Sequence, residues 1–127
     1  MNTMLIETNM NTVRATLVDM LYFVKALRGE RFGSSSYNSL LNNLSAVTTS
    51  GLRATRLSIQ IVRTSIDFSI TRILPDLLVI EEVFEDYEET IKDLRNGNIA
   101  HYEYQECMDF LTEDANIALC LSCAPWA

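Results

Sequence analysis

The chain is poor in residues that interrupt regular structure or cross-link it. Its 127 residues include four glycines, two prolines, three cysteines, one histidine and one tryptophan. So little glycine and proline excludes a collagen-like repeat. Three cysteines cannot all pair within one chain, which excludes a disulfide-dense mini-protein and points to free thiols in a reducing compartment. Long apolar runs are lacking too. The longest stretch without charge, Phe32 to Leu52, is full of Ser and Asn, so no membrane insertion is expected. Met1 to Glu7 has neither the basic start nor the apolar core of a signal peptide. The expected location is the cytoplasm, or the interior of a virion if the chain is viral.

Apolar residues supply 48% of the chain and charged residues 21%, which excludes a wholly disordered protein. The length suits one domain, read as a single helical domain over 1–127. The net charge of −7 conceals an asymmetry. Residues 1–75 carry eight basic and four acidic side chains, and residues 76–127 carry two basic and thirteen acidic. No acidic residue lies between Arg31 and Ile66. A chain of two signs can fold one half onto the other or stack on copies of itself. Arginine outnumbers lysine eight to two, a bias that suits fixed interface contacts.

The apolar spacing is helical almost throughout. Val13, Leu17, Met20, Val24 and Leu27 share one face of a helix near 12–28, with Gly29 at its stop. Tyr37, Leu40, Leu44 and Val47 repeat in a helix near 37–49, closed by Thr48-Thr49-Ser50-Gly51. The next helix, near 52–74, has a main stripe of Leu52, Thr55, Ile59, Val62, Ile66, Ile70 and Ile73. A second stripe of Leu57, Ile61 and Phe68 lies on its other side, and Arg53, Arg56 and Arg63 fill a flank. A helix apolar on two sides is buried on two sides, so it is either the centre of the bundle or meets another subunit. A pair of strands is the rival reading, because Leu57-Ile59-Ile61 and Ile66-Phe68-Ile70 alternate. Pro75 ends or kinks this helix. A helix near 76–95 carries the seam Leu77, Ile80, Phe84, Tyr87, Ile91 and Leu94, and its other faces are acidic. A helix near 98–121 turns Tyr104, Cys107, Met108, Leu111, Ala115 and Ala118 inward, and a short apolar tail occupies 122–127. The fold class expected is all-α, a bundle of four to five helices with a central two-sided helix.

Three groups of residues carry chemistry. Glu81-Glu82-Val83-Phe84-Glu85 reads EExxE, and Glu106-Cys107-Met108-Asp109 reads ExxD. This pair resembles the signature of the MazG-like all-α nucleoside triphosphate pyrophosphohydrolases. The resemblance covers about 30 residues and implies magnesium held by Glu82, Glu85, Glu106 and Asp109, gripping a triphosphate and activating water. Position 86 is Asp, where that pattern usually has an apolar residue. With Tyr104, Met108 and Leu111 facing inward, Glu106 and Asp109 point about 140–160° away from the core.

The second group is His101, Cys107, Cys120 and Cys123, donors of the type that closes a zinc tetrahedron. In one helix Cys107 and Cys120 would stand about 20 Å apart, so zinc requires that helix to break. The third group is the basic flank Arg53, Arg56 and Arg63, the acidic flank Glu81, Glu85 and Glu88, and Trp126 as an interface anchor. A sequence pI near 4.6 does not suit nucleic-acid binding.

The function these observations favour is non-enzymatic, with no cofactor: a helical assembly or interaction protein that self-associates or binds a protein partner. A small viral or phage structural or adaptor subunit fits this profile. It would oligomerise through the apolar face of Leu57, Ile61 and Phe68 and through surfaces of opposite charge. One alternative is the magnesium-dependent pyrophosphohydrolase. The other is an acidic inhibitor that blocks a basic site on a host protein.

Overall fold

The computed structural model describes residues 2–123. Four long helices and one short helix make up the fold: α1 (Asn2–Arg28), α2 (Ser35–Arg63), α3 (Phe68–Thr71), α4 (Leu74–Arg95) and α5 (Tyr104–Cys123). A single 3₁₀ turn, His101–Glu103, leads into α5. The described residues contain no strand, so the two alternating segments are helical or in turns. The long helices occupy four corners: α1 packs on α2 and α5, and α4 packs on α2 and α5. The protein is an all-α helical bundle. Helix α2 buries two sides, one against α1 and one against α4.

The core follows the helical stripes. Ile6, Met10, Val13, Leu17, Met20, Val24 and Leu27 run the length of α1, and Leu77, Ile80, Phe84, Tyr87, Ile91 and Leu94 run the length of α4. Tyr104, Met108, Leu111, Ala115 and Ala118 do the same on α5. Helices α1 and α5 cap one another. The Tyr104 hydroxyl donates to the carbonyl of Leu27 at 2.6 Å, and Arg14 Nη1 donates to the carbonyl of Ser122 at 2.7 Å. Both bonds go to carbonyls in the last turn of a helix, where no intrahelical N–H follows; that of Leu27 also accepts from the N–H of Glu30.

Four boundaries differ from the sequence reading, each for a local reason. First, α1 begins at Asn2 and not near residue 12. Thr8, Thr12 and Thr16 turn their hydroxyls back to the carbonyls of Met4, Thr8 and Thr12, so the polar residues that resemble caps lie inside the helix.

Second, Thr48 to Gly51 is not an end, because α2 runs unbroken from Ser35 to Arg63. Gly51 is buried where three helices meet. A Cβ there would stand 2.5 Å from the Phe84 ring and 2.7 Å from Thr16 Cγ2. The glycine permits a close approach and does not mark a stop. Thr48 and Thr55, one on each side of it, are buried and donate to the carbonyls of Leu44 and Gly51.

Third, the helix expected over 52–74 breaks well before Pro75. Thr64 Oγ1 donates to the carbonyl of Ile61, Ser65 Oγ accepts from the N–H of Asp67, and Asp67 Oδ1 accepts from the N–H of Ser69. These side chains offer the backbone bonds that compete with the helical ladder. The hydrogen bonds from Ser69 hold the Asp67 carboxyl below its ordinary range. Pro75 stands at the start of α4, where its missing N–H costs little. Ile66, placed on the buried stripe by the sequence, is fully exposed.

Fourth, the last helix starts at Tyr104 and runs through Cys123, so positions 122 and 123 are helical and not tail. Asn98 lies before it, and its N–H closes the end of α4 on the carbonyl of Asp93.

Candidate interaction surface

The seven carboxylates between Glu81 and Asp93 divide over two flanks of α4. At about 100° per residue, positions 81, 85 and 88 share one flank and positions 82, 86, 89 and 93 share the other. The first flank meets α2. Arg56 Nε lies 3.2 Å from Glu81 and its Nη2 lies 3.1 Å from Glu85. One guanidinium therefore ties two turns of α4 to the middle of α2. Arg53, Arg56 and Arg63 line a groove of about 600 Å³ there, and Glu81 and Glu88 form its opposite wall. Leu57, also in the lining, is half exposed, whereas Ile61 is partly buried. Phe68 lies in α3, beyond the break, and is 79% exposed. The sequence placed Leu57, Ile61 and Phe68 on one stripe; the break after Arg63 removes Phe68 from it.

The second flank meets α5. The carboxyl of Asp114 lies close enough to Asp86 for the two to share a proton, and Glu82 adds further negative charge. Burial, with Asp86, Glu82 and Glu113 around it, pushes the Asp114 carboxyl up to about 7. Sequence reasoning missed this residue. The available signal was its place on the edge of the inward stripe of α5, three positions after Leu111.

The carboxylates of the EExxE and ExxD motifs are not brought together. Glu85 pairs with Arg56, and Asp109 pairs with Arg28 at 2.7 Å. Glu82 faces Asp114, and Glu106 lines a separate shallow concavity with Ile99, Glu103, Cys107 and Phe110. Among the described residues, no three His, Cys, Asp or Glu side chains stand where they could share a metal ion.

The zinc set is dispersed as well. His101 is exposed and sits edge-on to the Phe32 ring at 6.1 Å. Cys107 is half buried beside Tyr37 and Tyr104, and burial with Asp93 and Glu103 nearby pushes its thiol up. Cys120 and Cys123 are exposed at the far end of the same unbroken helix. At 1.5 Å per residue, that end is about 20 Å from Cys107. Trp126 lies outside the described residues.

At the opposite end from Cys120, an aromatic cluster closes the bundle. The Phe32 ring lies tilted against Tyr37 at 5.1 Å and edge-on to Tyr104 at 5.5 Å. Burial pushes the Tyr37 hydroxyl up to about 12 and raises those of Tyr104 and Tyr87 further. Tyr87 donates to the carbonyl of Leu111. Tyr87 and Tyr104 are structural donors, the Tyr37 hydroxyl is buried without a hydrogen-bond partner among the described residues, and all three phenols stay protonated at physiological pH. No helix among the described residues is long and apolar enough to cross a membrane. No family model, curated protein or solved structure matches this chain.

Proposed function

We infer that this chain is a non-enzymatic helical assembly protein, a structural or adaptor subunit that associates with copies of itself. The observation that supports this reading best is the exposure of Ile66 and Phe68 on the turn between α2 and α4. Two large apolar side chains left exposed within three residues of one another on a short capped segment are the kind of surface that partners cover. The groove lined by arginine and glutamate begins at the same end of α2 and supplies charges of both signs. The rival magnesium enzyme has less support, because two of its four carboxylates are engaged by arginines.

Sedimentation velocity over a micromolar concentration series tests the reading. The wild-type chain is expected to form a discrete oligomer. Burying a phenylalanine side chain contributes about 1.5–3 kcal/mol. Phe68→Asp is therefore expected to weaken association by about 10- to 100-fold, while the thermal unfolding of the monomer is unchanged. A wild-type chain that sediments as a monomer at every concentration overturns the reading.

A further inference from the structure

The groove between α2 and α4 carries its charge unevenly. Arg56 sits at its middle, closed in by Glu81 and Glu85. The two helices run antiparallel, since Arg56 reaches Glu81 while Arg95 reaches Asn42 at 2.8 Å. Arg63 therefore falls beyond Glu81, at the end nearer the turn, and Glu88 falls beyond Arg56 at the other end. Arg63 is seven residues, about 10 Å, from Arg56 along α2, and Glu88 is three residues, about 4.5 Å, beyond Glu85 along α4. Both are exposed, and among the described residues neither makes an ion pair. Leu57, 47% exposed, lies in the lining between them. Ile66 and Phe68 follow Arg63 within five residues and extend the positive end with apolar surface.

The groove's outermost charges are an unpaired arginine at one end and an unpaired glutamate at the other, with exposed Leu57 and the internally paired Arg56 near the middle and Arg53 just inside the glutamate; the two end charges become complementary to themselves after a two-fold rotation. That is the condition for an isologous dimer. An acidic ligand would meet Glu81 and Glu88 as like charges, and a basic one would meet Arg53 and Arg63. A second copy answers both ends at once. The geometry points to a two-fold homodimer in which the α2–α4 grooves of two copies face each other, with Arg63 opposite Glu88 of the partner subunit. This rests on the self-association reading above and names its surface and partner.

Charge exchange on the full chain tests it, read by sedimentation equilibrium. Neither residue supports an internal ion pair, so Arg63→Glu and Glu88→Arg are both expected to stay folded; Arg63→Glu, which puts an acid in the last turn of α2, is expected to lower the monomer's melting temperature slightly, and association is therefore compared at a temperature where every variant is folded. Each variant alone places like charges together at both symmetric contacts, and its dimer is expected to weaken by about tenfold or more. An equimolar mixture of the two variants restores opposite charges at both contacts and is expected to recover wild-type affinity as a heterodimer. The double variant in one chain is expected to recover the homodimer.

A monomeric wild type overturns both this inference and the reading it rests on. An oligomer that neither substitution weakens overturns this inference alone. So does failure of the mixture to re-associate. Weakening by Arg63→Glu with none by Glu88→Arg makes the groove a receptor for an acidic partner of another kind, and also overturns self-pairing.

Discussion

At Asp114 one carboxyl oxygen is buried without a hydrogen-bond partner, and the carboxylates facing it from α4 are acceptors like itself. Only a shared proton lets Asp86 and Asp114 satisfy each other, so the fold favours the protonated pair. The group's folded value, about 7, lies above the ordinary 3.8. The native state therefore holds more protons than the unfolded chain between those values, and stability falls as pH rises through that window. The contribution is fully present below about pH 4 and is lost as pH rises through about 7. Solvent reaches much of this carboxyl, so the effect is of the order of 1 kcal/mol. Asp114→Asn is expected to raise the melting temperature at pH 8 and to flatten its decline between pH 5 and 8. A melting temperature independent of pH in the wild type would remove the shared proton from the account.

At the scale of the helix, Gly51 sets how closely α2 can approach α1 and α4. Alanine is the better helix former by about 1 kcal/mol, so Gly51→Ala would stabilise an isolated helix. Here the added methyl would press on the Phe84 ring and Thr16, at 2.5 and 2.7 Å. Overpacking of a filled core costs about 1–3 kcal/mol, so a net loss is expected, read as a lower denaturant midpoint. Trimming the ring in Gly51→Ala with Phe84→Leu is expected to return part of it. The same residue shows where the sequence could and could not be read. Periodicity revealed most of the stripes of the four long helices because burial requires it, but missed Ile6 and Met10 at the start of α1 and wrongly included Ile66. Gly51 resembles a stop in sequence, and only the arrival of Phe84 from thirty-three residues away explains it. The break at Thr64–Asp67 was hidden for the converse reason. Ile66 and Phe68 keep the apolar spacing, while Thr64, Ser65 and Asp67 redirect the backbone through local hydrogen bonds. The charges of the candidate surface were visible as a basic and an acidic flank. Which glutamates meet Arg56 and which are left over depends on the register between α2 and α4, and one chain's pattern does not contain that register.

For the whole molecule, the charge asymmetry between the two halves becomes a spatial one. The arginines of α2 lie against one flank of α4, but the other flank of α4 lies against α5, and both helices are acidic there. Glu82, Asp86 and Glu113 surround Asp114, and Asp93 and Glu103 bear on Cys107. Among the described residues, three ion pairs close between helices: two from Arg56 to α4 and one from Arg28 to Asp109. They are too few and too exposed to offset the repulsion of the acidic side. Added salt therefore acts in opposite directions on folding and on assembly. Screening relieves the like charges shared by α4 and α5 and is expected to raise the melting temperature by about 2–5 °C between low and roughly half-molar salt at pH 8. The same screening weakens the pairing of Arg63 with Glu88 across the two-fold axis, so the dimer dissociation constant is expected to rise over that range. Calorimetry at a dilution where the chain is monomeric, alongside sedimentation at each ionic strength, separates the two effects. A melting temperature that falls with salt would mean that the Arg56 and Arg28 pairs outweigh the acidic side. The repulsion between α4 and α5 would then not be what limits the stability of this bundle.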